Sequence, residues 1–85
     1  MAVDILYFAW VREAIGCDGE RIDPPAGIVD VAALVDWLAG KGGGYAEAFA
    51  DRSRLRYAVD QAFAGAGTPI AGAREIAIFP PVTGG

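Results

Sequence analysis

Glu75-Ile76-Ala77-Ile78-Phe79-Pro80-Pro81-Val82-Thr83-Gly84-Gly85 closes the sequence: an apolar strand, two prolines and a thin tip. Alternation along a strand puts Ile76 and Ile78 on one face and Ala77 and Phe79 on the other, so both faces are apolar. Pro80 and Pro81 end the strand, because proline cannot donate to a ladder and biases the residue before it toward extended backbone. The exit from the domain is therefore expected to be stiff and straight. Glycine has no side chain, so Gly84 and Gly85 can enter a slot too narrow for other residues. Fully extended, the six residues from Pro80 to Gly85 reach at most roughly 20 Å. Such a tail suits delivery of its own terminus.

The opposite end of the sequence has the same character. Ala2 to Ala9 is apolar at nearly every position except Asp4. A run of this kind suits a strand covered on both faces and central in a sheet. Two such strands at the two ends of the chain, with a helix and shorter strands between them, predict an α+β fold. The terminal strands are expected to be neighbours in a mixed sheet.

Trp10 to Gly16 reads as a short helical turn closed by Gly16. Glu20-Arg21-Ile22-Asp23 suits a short polar edge strand stopped by Pro24-Pro25. The clearest helix starts at Asp30, a capping residue, with Val31, Leu34, Val35 and Leu38 at i, i+3, i+4 and i+7; Val29 is placed to staple against Leu34. Gly40 is expected to stop this helix, and Lys41 to sit where its C-terminus favours a cation. Gly42-Gly43-Gly44 reads as a flexible joint, since nothing resembling a phosphate-binding G-x-x-x-x-G-K-[ST] is present. A helical turn over Tyr45 to Phe49 and a solvated loop through Asp51, Arg52 and Ser53 come next. Leu55, Tyr57 and Val59 alternate as a strand with Arg56 outward, and Asp60-Gln61 turns the chain into Ala62-Phe63-Ala64. Gly65 to Pro69 and Ile70 to Ala73 are turns.

Composition limits what such a domain can do. The chain has 85 residues, 54% hydrophobic and 21% charged, which predicts one compact domain with apolar surface to spare for a partner. Net charge is −4 with the basic residues dispersed, so neither nucleic acid nor a membrane surface is an expected ligand. There is no histidine, hence no Ser/His or Cys/His pair, and a self-contained hydrolase is disfavoured. Cys17 is the lone cysteine, with no disulfide or zinc spacing, and reads as a small hydrophobe. No metal site is expected. With no basic leader before Asp4 and no apolar run of membrane-spanning length, a cytoplasmic location is expected.

Three stretches carry a family resemblance: Leu6-Tyr7-Phe8-Ala9-Trp10-Val11-Arg12-Glu13 with Gly16, Ala58-Val59-Asp60-Gln61, and Gly72 through Gly85. Together they resemble the small, sulfur-carrier subunits of molybdopterin synthases over the whole chain. The terminal F-P-P-V-[TS]-G-G is the most specific part, since a bare Gly-Gly end is shared with other ubiquitin-like carriers. The resemblance implies a single β-grasp (ubiquitin-like) domain over residues 1–85 with one main helix, residues 80–85 forming an extended, flexible tail. Asp60 stands where the family often has Asn.

The resemblance also implies a chemistry. A free α-carboxylate is an anion at neutral pH and a poor electrophile. In proteins of this kind an ATP-dependent activating enzyme adenylates the terminal glycine, here Gly85, and a sulfur donor displaces AMP to leave a thiocarboxylate. Gly84, Thr83, Val82, Pro81 and Pro80 then thread into a large catalytic subunit, where sulfur passes to cyclic pyranopterin monophosphate to build the molybdopterin dithiolene. The chain would be a non-catalytic sulfur donor with no bound cofactor, assembled with the large subunit as a heterotetramer with two of each. Phe8, Phe63 and Phe79 fall where the family places an apolar docking patch, although aromatics fill cores as readily. Two alternatives stay open: a carrier for thiazole or cysteine synthesis or a lysine-linked modifier, and a non-catalytic interaction domain.

Overall fold

The computed structural model describes residues 2–81. In chain order its elements are β1 (Val3–Tyr7), α1 (Ala9–Ile15), β2 (Gly19–Ile22), α2 (Val31–Ala39), α3 (Gly43–Ala48), a 3-10 turn (Arg52–Arg54), β3 (Arg56–Val59), β4 (Ala62–Ala64) and β5 (Glu75–Phe79). The strands form one sheet in the order β2-β1-β5-β3-β4. The terminal strands β1 and β5 lie side by side and parallel, with Ile5 opposite Ile76 and Tyr7 opposite Ile78, as the matching end runs predicted. All other neighbours are antiparallel. This mixed sheet with one main helix across it is a β-grasp fold.

The core lies between one face of the sheet and the helices. Val31, Leu34, Val35 and Leu38 are fully buried in one cluster with Ile5, Tyr7, Ile76 and Ile78. Each such side chain contributes about 2 kcal/mol by leaving water. Asp30 caps α2 as expected, its carboxylate accepting from the Ala33 N–H at 2.8 Å. The staple does not form: Val29 is 65% exposed, and Ile28 packs on the core instead. Gly40 ends α2 in right-handed geometry (φ −64, ψ −14), and the left-handed break falls at Gly42 (φ 79). Lys41 sets its ammonium 4.5 Å from the centre of the Trp37 ring. At the end of α1, Gly16 is left-handed (φ 98) and its N–H bonds to the Arg12 carbonyl, the closure its position predicts.

The triple glycine is no flexible joint. Gly43 and Gly44 begin α3, and a Cβ on Gly44 would stand 2.1 Å from the Ala14 carbonyl oxygen. Only a residue without a side chain lets α3 approach the end of α1 this closely. The same contact zone holds a polar knot. The hydroxyls of Tyr7 and Tyr45 both donate to Glu20 Oε2, at 2.7 and 2.6 Å, joining β1, β2 and α3. Burial, then the bond to Glu20, raises the Tyr7 pKa far above its ordinary value; for Tyr45 the same bond leads and pushes it up to about 12.

One expectation about the sheet needs correcting. The apolar runs of β1 and β5 predict cover on both faces, yet the helices and the core lie on one face only. Leu6 is only half-buried, and Phe8, just beyond β1, is 45% exposed. The second face carries Leu6, Ala77, Ala58 and Phe63 together with Asp4, Arg21, Glu75 and Arg56, and among the described residues no helix lies upon it.

Candidate functional site: the open sheet face and the root of the tail

Register and alternation assemble the open face. Leu6 lies opposite Ala77, Ala77 opposite Ala58, and Ala58 opposite Phe63, a row across four strands. Because β1 and β5 are parallel, their C-terminal ends emerge at the same edge of the sheet, which puts Phe8 next to Phe79. The Phe8 N–H bonds to the Ile78 carbonyl at 3.3 Å. The ring of Phe79 meets that of Phe63 at 6.3 Å between centroids and 53° between planes, an aromatic pair on the surface. Phe63 is 90% exposed. The structure thus brings all three predicted phenylalanines to one face, and the core alternative does not hold for them.

Small residues make the floor of this face. Alanines at 58 and 77 share the row with Phe63, so the ring of Phe63 stands above them. Phe63 projects from a hairpin whose turn residues Asp60 and Gln61 both have left-handed φ (49 and 71), the conformation that matches the twist of paired strands. The Asp60 carboxylate accepts from the backbone N–H groups of Arg74 and Glu75 at 2.8 and 3.0 Å. An asparagine oxygen could accept the same bonds, so the acid in place of the family's Asn keeps the turn. Ala9 is also left-handed (φ 54), which costs a residue with a side chain about 1 kcal/mol or more. That strain sits where the chain swings off β1 beside Phe8.

The tail leaves this same edge. Pro80 and Pro81 are half-buried, and Pro81 lies between two grooves. One, of about 400 Å³, is lined by Trp10, Ser53, Arg54, Pro80 and Pro81; the other, of about 480 Å³, by Arg56, Tyr57, Phe63, Ala64, Phe79 and Pro81. Val82, Thr83, Gly84 and Gly85, the rest of the predicted site, lie outside the described residues. Trp10, Arg54 and Arg56 are neighbours of the tail that the sequence did not single out. No motif marks them, and they meet only through the pairing of Arg56 with Phe79 and the folding of α1 against the loop before β3. Cys17 is half-buried and packs on the core. Among the described residues no cluster of His, Cys, Asp and Glu could hold a metal ion, and no helix is long and apolar enough to cross a membrane.

The profile of the ThiS family matches residues 5–85, covering the second half of β1, all of β5 and the tail. The chain belongs to this family. It is 36% identical to the molybdopterin synthase sulfur carrier subunit of Escherichia coli (strain K12), over 98% of this chain and 99% of that one. The subunit of the same name from Haemophilus influenzae is 34% identical over the same shares of each chain. Among solved structures, SAMP1 from Haloferax volcanii superposes with a TM-score of 0.73 at 26% identity, over 100% of both chains. Membership of the ThiS family thus spans the sheet that sets Phe8 beside Phe79 and the segment that follows.

Proposed function

We propose that this chain is the sulfur carrier subunit of a molybdopterin synthase, with the Gly85 carboxylate as the group that carries sulfur. The observation that carries this is the placement of the Phe79-Pro80-Pro81 exit at the edge of an exposed aromatic face, in a chain with two full-length relatives bearing that name. An activating enzyme joins the carboxylate to AMP, expelling pyrophosphate from ATP. A sulfur donor then displaces AMP and leaves a thiocarboxylate. Its sulfur is soft, ionised at neutral pH and nucleophilic, as a thiolate is. The sulfur forms a carbon–sulfur bond to the pterin precursor held by the large subunit as a carbon–oxygen bond of the precursor breaks, and water then cleaves the resulting thioester, leaving sulfur on the pterin and returning the carboxylate.

Phe8, Phe63 and Phe79 dock on the large subunit while Pro80, Pro81, Val82, Thr83 and Gly84 thread toward its site. The isolated chain is no enzyme; catalytic groups come from the partner, in an assembly with two copies of each subunit in the cytoplasm. The test is mass spectrometry of the chain after incubation with ATP, the activating enzyme and a sulfur source. The expected outcome is replacement of one oxygen by sulfur at Gly85, followed by loss of that sulfur when the large subunit and the pterin precursor are added. Conversion of the terminus without transfer to the pterin would point to another carrier role. Linkage to lysines would make it a modifier, and no conversion at all would leave an interaction domain. Removing Gly85 should abolish transfer while thermal unfolding stays unchanged.

A further inference from the structure

Two arginines bracket the point where the tail leaves the domain. Arg54 lies on one side of Pro81, its guanidinium carbon 4.7 Å from the centre of the Trp10 ring. Arg56 lies on the other side, directly across the ladder from Phe79. Both are exposed, and neither forms an ion pair among the described residues, whereas Arg21 pairs with Asp4 and Arg52 with Asp36. One Arg56 nitrogen donates to the carbonyls of Ser53 and Leu55 at 3.2 and 2.8 Å, neutral acceptors that hold the side chain in place without cancelling its charge. Asp51 accepts from the Ser53 N–H and hydroxyl at 3.1 and 2.5 Å and is in addition attracted to Arg54, so Arg54 is balanced only in part.

The charge here runs against that of the rest of the chain. The protein carries −4 overall, yet the collar around the tail is positive. Stacking on Trp10 holds the Arg54 guanidinium over an apolar surface, where a facing carboxylate is attracted more strongly than in open water. The collar is continuous with the aromatic face, since Pro81, Phe79 and Phe63 line the same groove as Arg56. Any protein that takes the tail into a channel must bring the rim of that channel against it.

We propose that Arg54 and Arg56 form a docking collar for a protein surface that carries carboxylates around the mouth of its tail-binding channel, and that this surface belongs to the large synthase subunit. The proposal rests on the function proposed above. Trp10 is the platform that holds Arg54, and the collar acts mainly by steering encounter and fixing the angle at which the tail enters. Such pairs change association rate and its salt dependence more than they change the aromatic contact itself.

The test is stopped-flow association of the full chain with the large subunit at 50 and 300 mM NaCl. The double variant Arg54→Glu/Arg56→Glu is expected to associate at least tenfold more slowly than wild type at 50 mM salt and to have its salt dependence reversed, since salt now screens a repulsion. Arg54→Lys/Arg56→Lys, which keeps both charges, should stay within about threefold of wild type. Lys41→Glu, on the helical side, shifts net charge by half as much away from the collar and should also stay within about threefold. Wild-type rates and salt dependence in the double charge reversal, with its fold confirmed by an unchanged unfolding midpoint, would overturn the collar alone. Absence of any binding by the wild-type chain would overturn the proposed function and the collar with it.

Discussion

The two faces of the sheet both carry large apolar side chains and yet have opposite fates. On the inner face Ile5, Tyr7, Ile76 and Ile78 are sealed by α2 and its neighbours. On the outer face Leu6, Ala58, Phe63, Phe79 and Phe8 are exposed or half-buried around a buried Ala77, with Asp4, Arg21, Glu75 and Arg56 beside them, and among the described residues no helix covers them. Folding accounts for the first and leaves the second unexplained. Monomers rarely expose contiguous apolar patches of this kind unless a partner covers them, so the outer face is best understood as half of an interface. Inner-face residues should therefore govern stability, and outer-face residues binding.

That division can be broken most forcefully from the inside. Leu34→Ala should cost about 2–5 kcal/mol, because the fully buried side chain leaves a cavity that rigid neighbours cannot fill, and urea unfolding would measure it. Gly44→Ala should cost up to about 3 kcal/mol by wedging α3 from α1, although glycine to alanine ordinarily stabilises a helix. A stable Gly44→Ala variant would mean the two helices can separate freely. On the outer face, Phe63→Ala should leave the unfolding midpoint nearly unchanged and weaken binding to the large subunit by about 2 kcal/mol, read by titration calorimetry. A loss of stability without a loss of affinity would reverse the roles of the two faces.

The smallest effect sharpens the inner face at its polar margin. Tyr45→Phe removes one of two hydroxyls from Glu20 and should cost about 1 kcal/mol near pH 7. The knot also sets a pH limit. Because the folded pKa values of Tyr7 and Tyr45 lie above the unfolded value near 10, the folded chain binds more protons than the unfolded one above that pH. The contribution is fully present below pH 10 and is lost as pH rises; for Tyr45 the loss is complete once pH passes about 12. Unfolding midpoints measured from pH 8 to 12 should fall above 10, and fall less steeply in Tyr45→Phe.

Much of this architecture is legible in the residue pattern. The period of Val31, Leu34, Val35 and Leu38 specified the main helix and its buried stripe, and Asp30 its start. Matching apolar runs at the two ends specified neighbouring central strands. Where local pattern misled, a long-range contact had decided the outcome. Gly42 to Gly44 looked like a loose joint because composition cannot show that Ala14 waits on the other side. The apolar runs of β1 and β5 predict cover on both faces because a strand's sequence does not distinguish a face covered by its own chain from an open one.

The sequence by itself determined the strand and helix periods, the end of the last strand at Pro80, and the absence of any histidine, because these depend on backbone sterics and composition alone. Only the tertiary structure decided that Phe8, Phe63 and Phe79 share one uncovered face and that Arg54 and Arg56 stand on either side of the tail's root. Residues from 8 to 81 meet there through strand register, and register is a property of paired chains that no single stretch encodes.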